Sequence, residues 1–277
     1  MSGLCVWVQG VGLLGPGLNS WGSALDVLRG AQPHASHPTV LPPPARLPTA
    51  ERRRAGAAVK LALAVADEAV AHAQVDPGSL ATVFTSSSGE GSHCHALCDT
   101  LATAVPMVSP TRFANSVHNA AAGCWHIAVA SRASSTSLCA FDGSFGAGLI
   151  EAATSVHLSG QPVLLVASDS PYPEPLNSAR PLPDHFGLAL LLAPAATEHS
   201  LALLTIELLA APSDASRCDQ ASLDALRRTI PAAAALPLLQ ALAQRVPQRR
   251  VVLGYLPTMG LQDEVVPVAL PASVAAT

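Results

Sequence analysis

Short, almost uniformly apolar runs alternate along this chain with longer stretches in which apolar positions recur every three to four residues. The first run, residues 4–9 (LCVWVQ), precedes Gly10 and Gly12 and predicts a buried strand ending in a tight turn. Ser20 is placed to cap a helix that stops near Gly30. Thr49 is placed to cap a longer one reaching about residue 73, with Val59, Leu61, Leu63, Val65 and Val70 along it. The proline-rich stretch 33–48 between them predicts a loop. Asp76-Pro77-Gly78 turns into a strand at 80–85, followed by the small-residue run 86–92 and a helix to about residue 104. A helix is expected over 115–130. A strand over 136–141 passes directly into a helix over 143–158, and Gln161-Pro162 leads into a strand over 163–167. A second proline-rich loop occupies 171–183. Two apolar strands follow near 187–192 and 201–208, then helices around 222–228 and 236–245, and a strand at 250–255. Strands alternating with helices predict an α/β fold with a largely parallel sheet.

Composition narrows the picture. The 277 residues suffice for one large domain or two small ones with a full core. Hydrophobic residues make up 49% and charged residues 12%, which excludes a disordered chain and a coiled coil. A soluble chain so poor in charge is expected to hide part of its surface against a partner. The net charge of -4 provides no basic field for nucleic acid. The longest apolar runs, 188–193 and 232–239, are too short to span a bilayer. No basic residue precedes Arg29, where a signal peptide would carry one. The six cysteines (5, 94, 98, 124, 139 and 218) follow no framework spacing and read as reduced cytoplasmic thiols.

Candidate chemistry is sparse. Ser86, Ser87, Ser88 and Gly89 suggest a hydrolase turn, but no G-x-S-x-G elbow occurs anywhere. Gly10-x-Gly12 lacks the third glycine of a dinucleotide fingerprint. His93, Cys94, His95, Cys98 and Asp99 are ligand-type residues. On a helix Cys94 and Cys98 share one face and His95 reaches Asp99 on another, so four ligands do not converge and no metal is expected.

Several longer stretches carry a resemblance. They are VWVQGVGLLGPGLNSW with LRG, RRRAGAAVKLALAVADEAV, FTSSSGEG, SPTRFANSVHNAAAGCWHI, SRASSTSLCAFDGSFGAGLIEA and QPVLLVASDSP. In order and spacing they resemble the β-ketoacyl synthases, the condensing enzymes of the thiolase fold. Asn119, Ala122 and Gly123 fall on that family's Asn-x-x-Ala-Gly positions. The SPxxFxNSVHNAAAG stretch looks like the chain length factors, the short ketosynthase-like proteins of aryl polyene and xanthomonadin-type pigment clusters. The resemblance covers roughly residues 4–195. It implies a thiolase-like α/β fold, a mostly parallel mixed sheet with helices on both faces. A ketosynthase-like domain would occupy 1–198, with a reduced α/β extension over 199–277 packed on it.

An active ketosynthase holds a cysteine at a strand-to-helix turn, where the helix N-terminus favours its thiolate. Counted along the gapless stretch, that position is Asp142, with Cys139 three residues earlier. The family's two histidines and lysine have no counterpart. Only His157, His185 and His199 follow Asp142, none in the family's context, and no lysine follows Lys60. The resemblance therefore implies a non-catalytic chain length factor paired with a full-length β-ketoacyl-ACP synthase, meeting the acyl carrier protein through the complex, with no cofactor and no metal. Pairing would use the 136–141 strand and the 115–130 helix. The implied interface and acyl tunnel residues are Asn115, His118, Asn119, Ala121, Ala122, Gly123, Phe141, Asp142 and Phe145.

Plainer readings stand beside these. Asp142 is a good N-cap for the helix that follows. His118 and Asn119 read equally as a hydrogen-bonded core pair, and Cys124 and Trp125 as packing residues. Two other functions remain open: a self-sufficient thiolase-like acyltransferase using a different cysteine, and a structural homodimer without acyl chemistry.

Overall fold

The computed structural model describes residues 3–210, 213–256 and 259–268. Its eight strands are β1 (Leu4–Leu14), β2 (Ala81–Thr85), β3 (Ser135–Leu138), β4 (Val163–Asp169), β5 (Phe186–Ala193), β6 (Ala202–Leu209), β7 (Arg249–Leu256) and β8 (Met259–Pro267). They form one mixed sheet in the order β3-β2-β4-β5-β1-β6-β8-β7. The expectation of a largely parallel sheet is corrected. Only β2 pairs in parallel, with β3 and with β4. The pairings β4–β5, β5–β1, β1–β6, β6–β8 and β8–β7 are antiparallel. The reason lies in the connections. A parallel pair needs a long crossover, and helices supply one between β2 and β3 and again between β3 and β4. After β4 the chain reverses into β5; β5, β6 and β7 then run the same way but pair with β4, β1 and β8, which run the other way, so these pairings are antiparallel.

The helices are α1 (Trp21–Leu28), α2 (Thr49–Arg54), α3 (Ala57–Ala73), α4 (Gly91–Leu101), α5 (Pro110–Asn115), α6 (Ala120–Ala128), α7 (Ser144–Ser159), α8 (Leu176–Ala179), α9 (Ala221–Thr229) and α10 (Leu236–Gln244). They cover both faces of the sheet, as expected. α3 and α6 bury one face, with Leu61, Leu63, Val65 and Trp125 in that core. α1, α7, α9, α10 and the 3-10 turn Pro231–Ala235 bury the other. Residues beyond 198 thus add β6, β8 and β7 to the same sheet, and their helices join its larger core. Among the described residues no helix is long and apolar enough to cross a membrane.

Local expectations fared unevenly. Ser20 caps α1 as read, its Oγ accepting from the Ser23 amide at 3.1 Å. Thr49 caps nothing: Pro48 is the N-cap of α2, and Ala55 and Gly56 separate that helix from α3. The helix expected over 115–130 is shortened to α6; residues 116–119 lie outside it, and Asn115 ends the preceding α5, which Ser109 caps. β8 was not anticipated. Its buried Leu261, Asp263 and Val265 alternate with partly buried polar residues, Gln262 and Glu264, so no apolar run announces it.

β1 does not end at a turn. It continues through Gly10 and Gly12, with a register shift between Val8 and Gly10. These glycines serve a close approach. A Cβ on Gly10 would sit 2.2 Å from the Ala69 carbonyl oxygen, and one on Gly12 1.9 Å from that of Val65. α3 therefore lies directly on the strand backbone. Gly12→Ala is expected to cost about 3 kcal/mol or more, because backbone rather than a side chain must give way. Urea unfolding of the variant against the parent checks this.

Candidate functional site

Two neighbouring regions gather most of the residues implied by the sequence. The first is the turn from β3 into α7. β3 ends at Leu138, and a 3-10 turn, Phe141–Gly143, intervenes before the helix. Phe141 has φ +53°, in the left-handed region that bulky side chains avoid at a cost of roughly 1–2 kcal/mol. Its ring lies 3.8 Å beneath the Arg180 guanidinium. That guanidinium also donates to the Tyr172 hydroxyl at 2.7 Å and forms an ion pair with Asp142. Gly143 cannot carry a side chain, since a Cβ would meet the Tyr255 carbonyl oxygen at 2.0 Å.

This geometry corrects the capping role for Asp142. The N-cap of α7 is Gly143, with no side-chain cap bond. The extra 3-10 turn places Asp142 outside the cap position. Its side chain, 67% exposed, turns outward to Arg180 instead. Ser144 closes the turn, its Oγ accepting from the Ala140 amide at 3.0 Å and donating to the Phe141 carbonyl at 2.6 Å. Asp142 and Arg180 together wall a cavity of about 510 Å³ that also meets Arg227 and Arg228 of α9. Phe145 departs from the implied set: it is buried in the core under α7, so it lines no exposed face.

The second region lies where α6 approaches β3, the edge strand of the sheet. His118, Asn119, Ala122 and Gly123 line an open cavity of about 480 Å³ with His126, Ser135 and Ser137. Nothing stands within 4 Å of where a Cβ on Gly123 would be. Ala121 turns to a small adjoining cavity of about 20 Å³, roughly one water, shared with His118, Ser86, Gly89, Glu90 and Ser168. Asn115 ends α5 and is half-buried. The core-pair reading of His118 and Asn119 is corrected, because both are exposed and His118 Nε2 contacts the Ser86 carbonyl oxygen at 3.3 Å. The 116–119 break leaves them outside any helix. Trp125 is fully buried and Cys124 half-buried, as packing residues should be.

Three contributors were not singled out from sequence. Glu90 has a side chain only 3% exposed, lying against Gly56 at the start of α3. Burial pushes its carboxyl up, opposed by His93 at 3.4 Å. Asp169 ends β4 and is buried. It accepts from the Ser87 amide at 2.7 Å, the Ser87 hydroxyl at 2.8 Å and the Ala232 amide at 2.8 Å. It thereby ties the serine turn after β2 to the C-terminal segment. Arg180 is the third. The ligand-type group on α4 behaves as its spacing suggested. His95 meets Asp99 at 3.2 Å and Cys94 contacts Cys98, and among the described residues no three such side chains converge.

Several large apolar side chains are exposed on the elements at this side of the molecule. Leu101, Val105, Met107, Phe113, Ile127 and Phe141 are each more than half exposed. They fall on α4, α5, α6, the segment between α4 and α5, and the turn after β3, beside an edge strand with one unpaired side.

Comparison with known proteins follows this geometry. The structure resembles that of the ketosynthase ApeO in complex with its chain length factor ApeC from Xenorhabdus doucetiae. The TM-score is 0.71, with 24% identity over 94% of this chain and 99% of that one. It also resembles the ishigamide ketosynthase/chain length factor, with TM-score 0.71 and 14% identity over 96% of this chain and 100% of that one. A third match, with TM-score 0.73 and 12% identity over 97% and 100%, is AntDE:AntF, a type II acyl carrier protein in complex with its ketosynthase. All share the thiolase-like ketosynthase fold described above. No curated relative matches the sequence. The family model for the β-ketoacyl synthase N-terminal domain matches residues 29–248, well past residue 195 where the sequence resemblance was read to stop, and the chain belongs to that family.

Proposed function

We propose that this chain is a chain length factor: a ketosynthase-like subunit with no condensing activity of its own. It pairs in the cytoplasm with a full-length β-ketoacyl-ACP synthase and shapes the acyl tunnel between them, in aryl polyene-type polyketide or fatty acid biosynthesis. The observation that carries this reading is Asp142, bound to Arg180 at the turn where a condensing enzyme keeps its thiolate. A carboxylate fixed by a guanidinium is a poor acyl acceptor. The partner would supply the cysteine, the two histidines and the lysine. The reaction, decarboxylative Claisen condensation of malonyl-carrier protein with an acyl-ketosynthase, then belongs to the pair. The ketosynthase–chain length factor complexes that share the fold support such a partner, and the exposed apolar side chains on α4, α5 and α6 offer it surface.

Cys94, Cys124, Cys139 and Cys218 are poor candidates for the nucleophile of a self-sufficient acyltransferase. Burial pushes the thiols of Cys94, Cys124 and Cys218 up, that of Cys218 to about 12, which disfavours the nucleophilic thiolate. Cys139 Sγ lies 3.7 Å from the Ser87 carbonyl oxygen, an acceptor that removes no proton. Asp142→Cys is accordingly expected to leave the isolated chain inactive, since a thiol without its histidines cannot run the decarboxylating half of the cycle. Radiolabelled malonyl-carrier protein assays on that variant check this.

Pairing itself is tested by co-expression. With the ketosynthase encoded beside it, the chain is expected to co-purify as a heterodimer burying more than ~2,000 Å². Expressed alone, it should be poorly soluble or self-associate. A monomer that stays dispersed at high concentration, with no retention of the ketosynthase, contradicts the proposal.

A further inference from the structure

Asp263 stands in the buried row of β8. It is wholly buried, and neither carboxyl oxygen has a hydrogen-bond partner among the described residues. On β8 it lies between Ile206 of β6 and Val251 of β7, both buried. Leu261 and Val265 flank it on the same face. α10 packs over β7 and β8 and carries no titratable residue. On β7 Arg249 shares the face of Val251, but its guanidinium is taken by Gln244 and stands 3.9 Å from Asp219. Glu207, Arg250 and Glu264 occupy the alternate positions of their strands and point to the other face. Among the described residues of these elements Asp263 therefore has no counter-charge. A buried carboxyl in such surroundings keeps its proton.

The far end of the same hairpin touches the turn that carries Asp142. The Tyr255 carbonyl oxygen fills the space beside Gly143, and a Cβ on Gly146 would lie 3.2 Å from the Gly254 carbonyl oxygen. We propose that the neutral form of Asp263 holds the β7–β8 hairpin on the sheet, and that the hairpin opens more readily as that proton is lost, uncovering the start of α7. The device does not depend on the chain's pairing with any partner.

The sign follows from linkage. Burial raises the Asp263 carboxyl to about 8, while an opened hairpin returns it to an ordinary carboxylate near ~3.9. Opening between those values releases one proton. The opening constant then rises up to about tenfold per pH unit from roughly pH 4 to pH 8 and is level outside that window. Hydrogen exchange of the full chain, read by mass spectrometry at pH 5.5, 6.5 and 7.5 and corrected for intrinsic rates, tests this. Peptides from β7 and β8 should lose protection by close to tenfold per unit, while peptides from β1 and β5 should not. Asp263→Asn and the apolar Asp263→Leu should both flatten the dependence. Hairpin protection that does not change with pH in the parent chain, or an unchanged slope in the Leu variant, overturns the proposal.

Discussion

With aspartates at both Phe113 and Ile127, the chain is expected to lose its ketosynthase partner while keeping its fold. Each side chain is more than half exposed, so the substitutions disturb little inside the monomer. At a large apolar interface each new carboxylate would be stranded without a counter-charge, at several kcal/mol apiece. A combined loss of about 4 kcal/mol weakens association roughly a thousandfold. Affinity capture of the tagged ketosynthase should then retain almost none of the variant, with its thermal midpoint within a few degrees of the parent. Retention at the parental level would place the interface elsewhere.

The second large effect concerns product length. Ala122 is an unsuitable probe of the tunnel, because it is 4% exposed and packed in the core with Trp125. A phenylalanine there overpacks the fold at about 1–3 kcal/mol. Gly123 is the better site. It faces the open cavity beside His118 and Ser137, and no atom obstructs a side chain. Replacing a helical glycine also removes a penalty of about 0.5–1 kcal/mol. Gly123→Phe is therefore expected to preserve the fold and, in the pair that is recovered, to cut into any acyl chain that runs along α6. Mass spectrometry of products from the co-purified complex should show shorter chains. Unchanged lengths from an intact complex would mean that this cavity is not the tunnel.

Much of this arrangement was legible in the residues, for identifiable reasons. The strands near 163–167 and 187–192 are short apolar runs next to proline, α7 is a longer amphipathic stretch between Gly143 and Gly160, and each appears within one or two residues of its expected place. The family motif around Asn119 and Gly123 located the open cavity, because motif spacing survives even where helix boundaries do not. Other features depend on contacts distant in sequence. Nothing local distinguishes a glycine that ends a strand from one on which a helix lies, so Gly10 and Gly12 read as a turn. Asp142 has the local pattern of a cap, but the extra 3-10 turn moves it off the cap position and Arg180, 38 residues on, takes its side chain. β8 hides its apolar face among charged residues, with a carboxylate in the buried row. The antiparallel half of the sheet follows from loop directions that no periodicity encodes.

In the proposed function, condensation belongs to the pair and this chain contributes shape without a nucleophile. Reconstitution with purified acyl- and malonyl-carrier proteins puts that to the test, comparing this chain alone, the pair, and the pair in which the ketosynthase cysteine is replaced by alanine. Elongated product is expected from the intact pair and none from either of the others. Product from this chain alone, or from the pair lacking the ketosynthase cysteine, would contradict the proposed function.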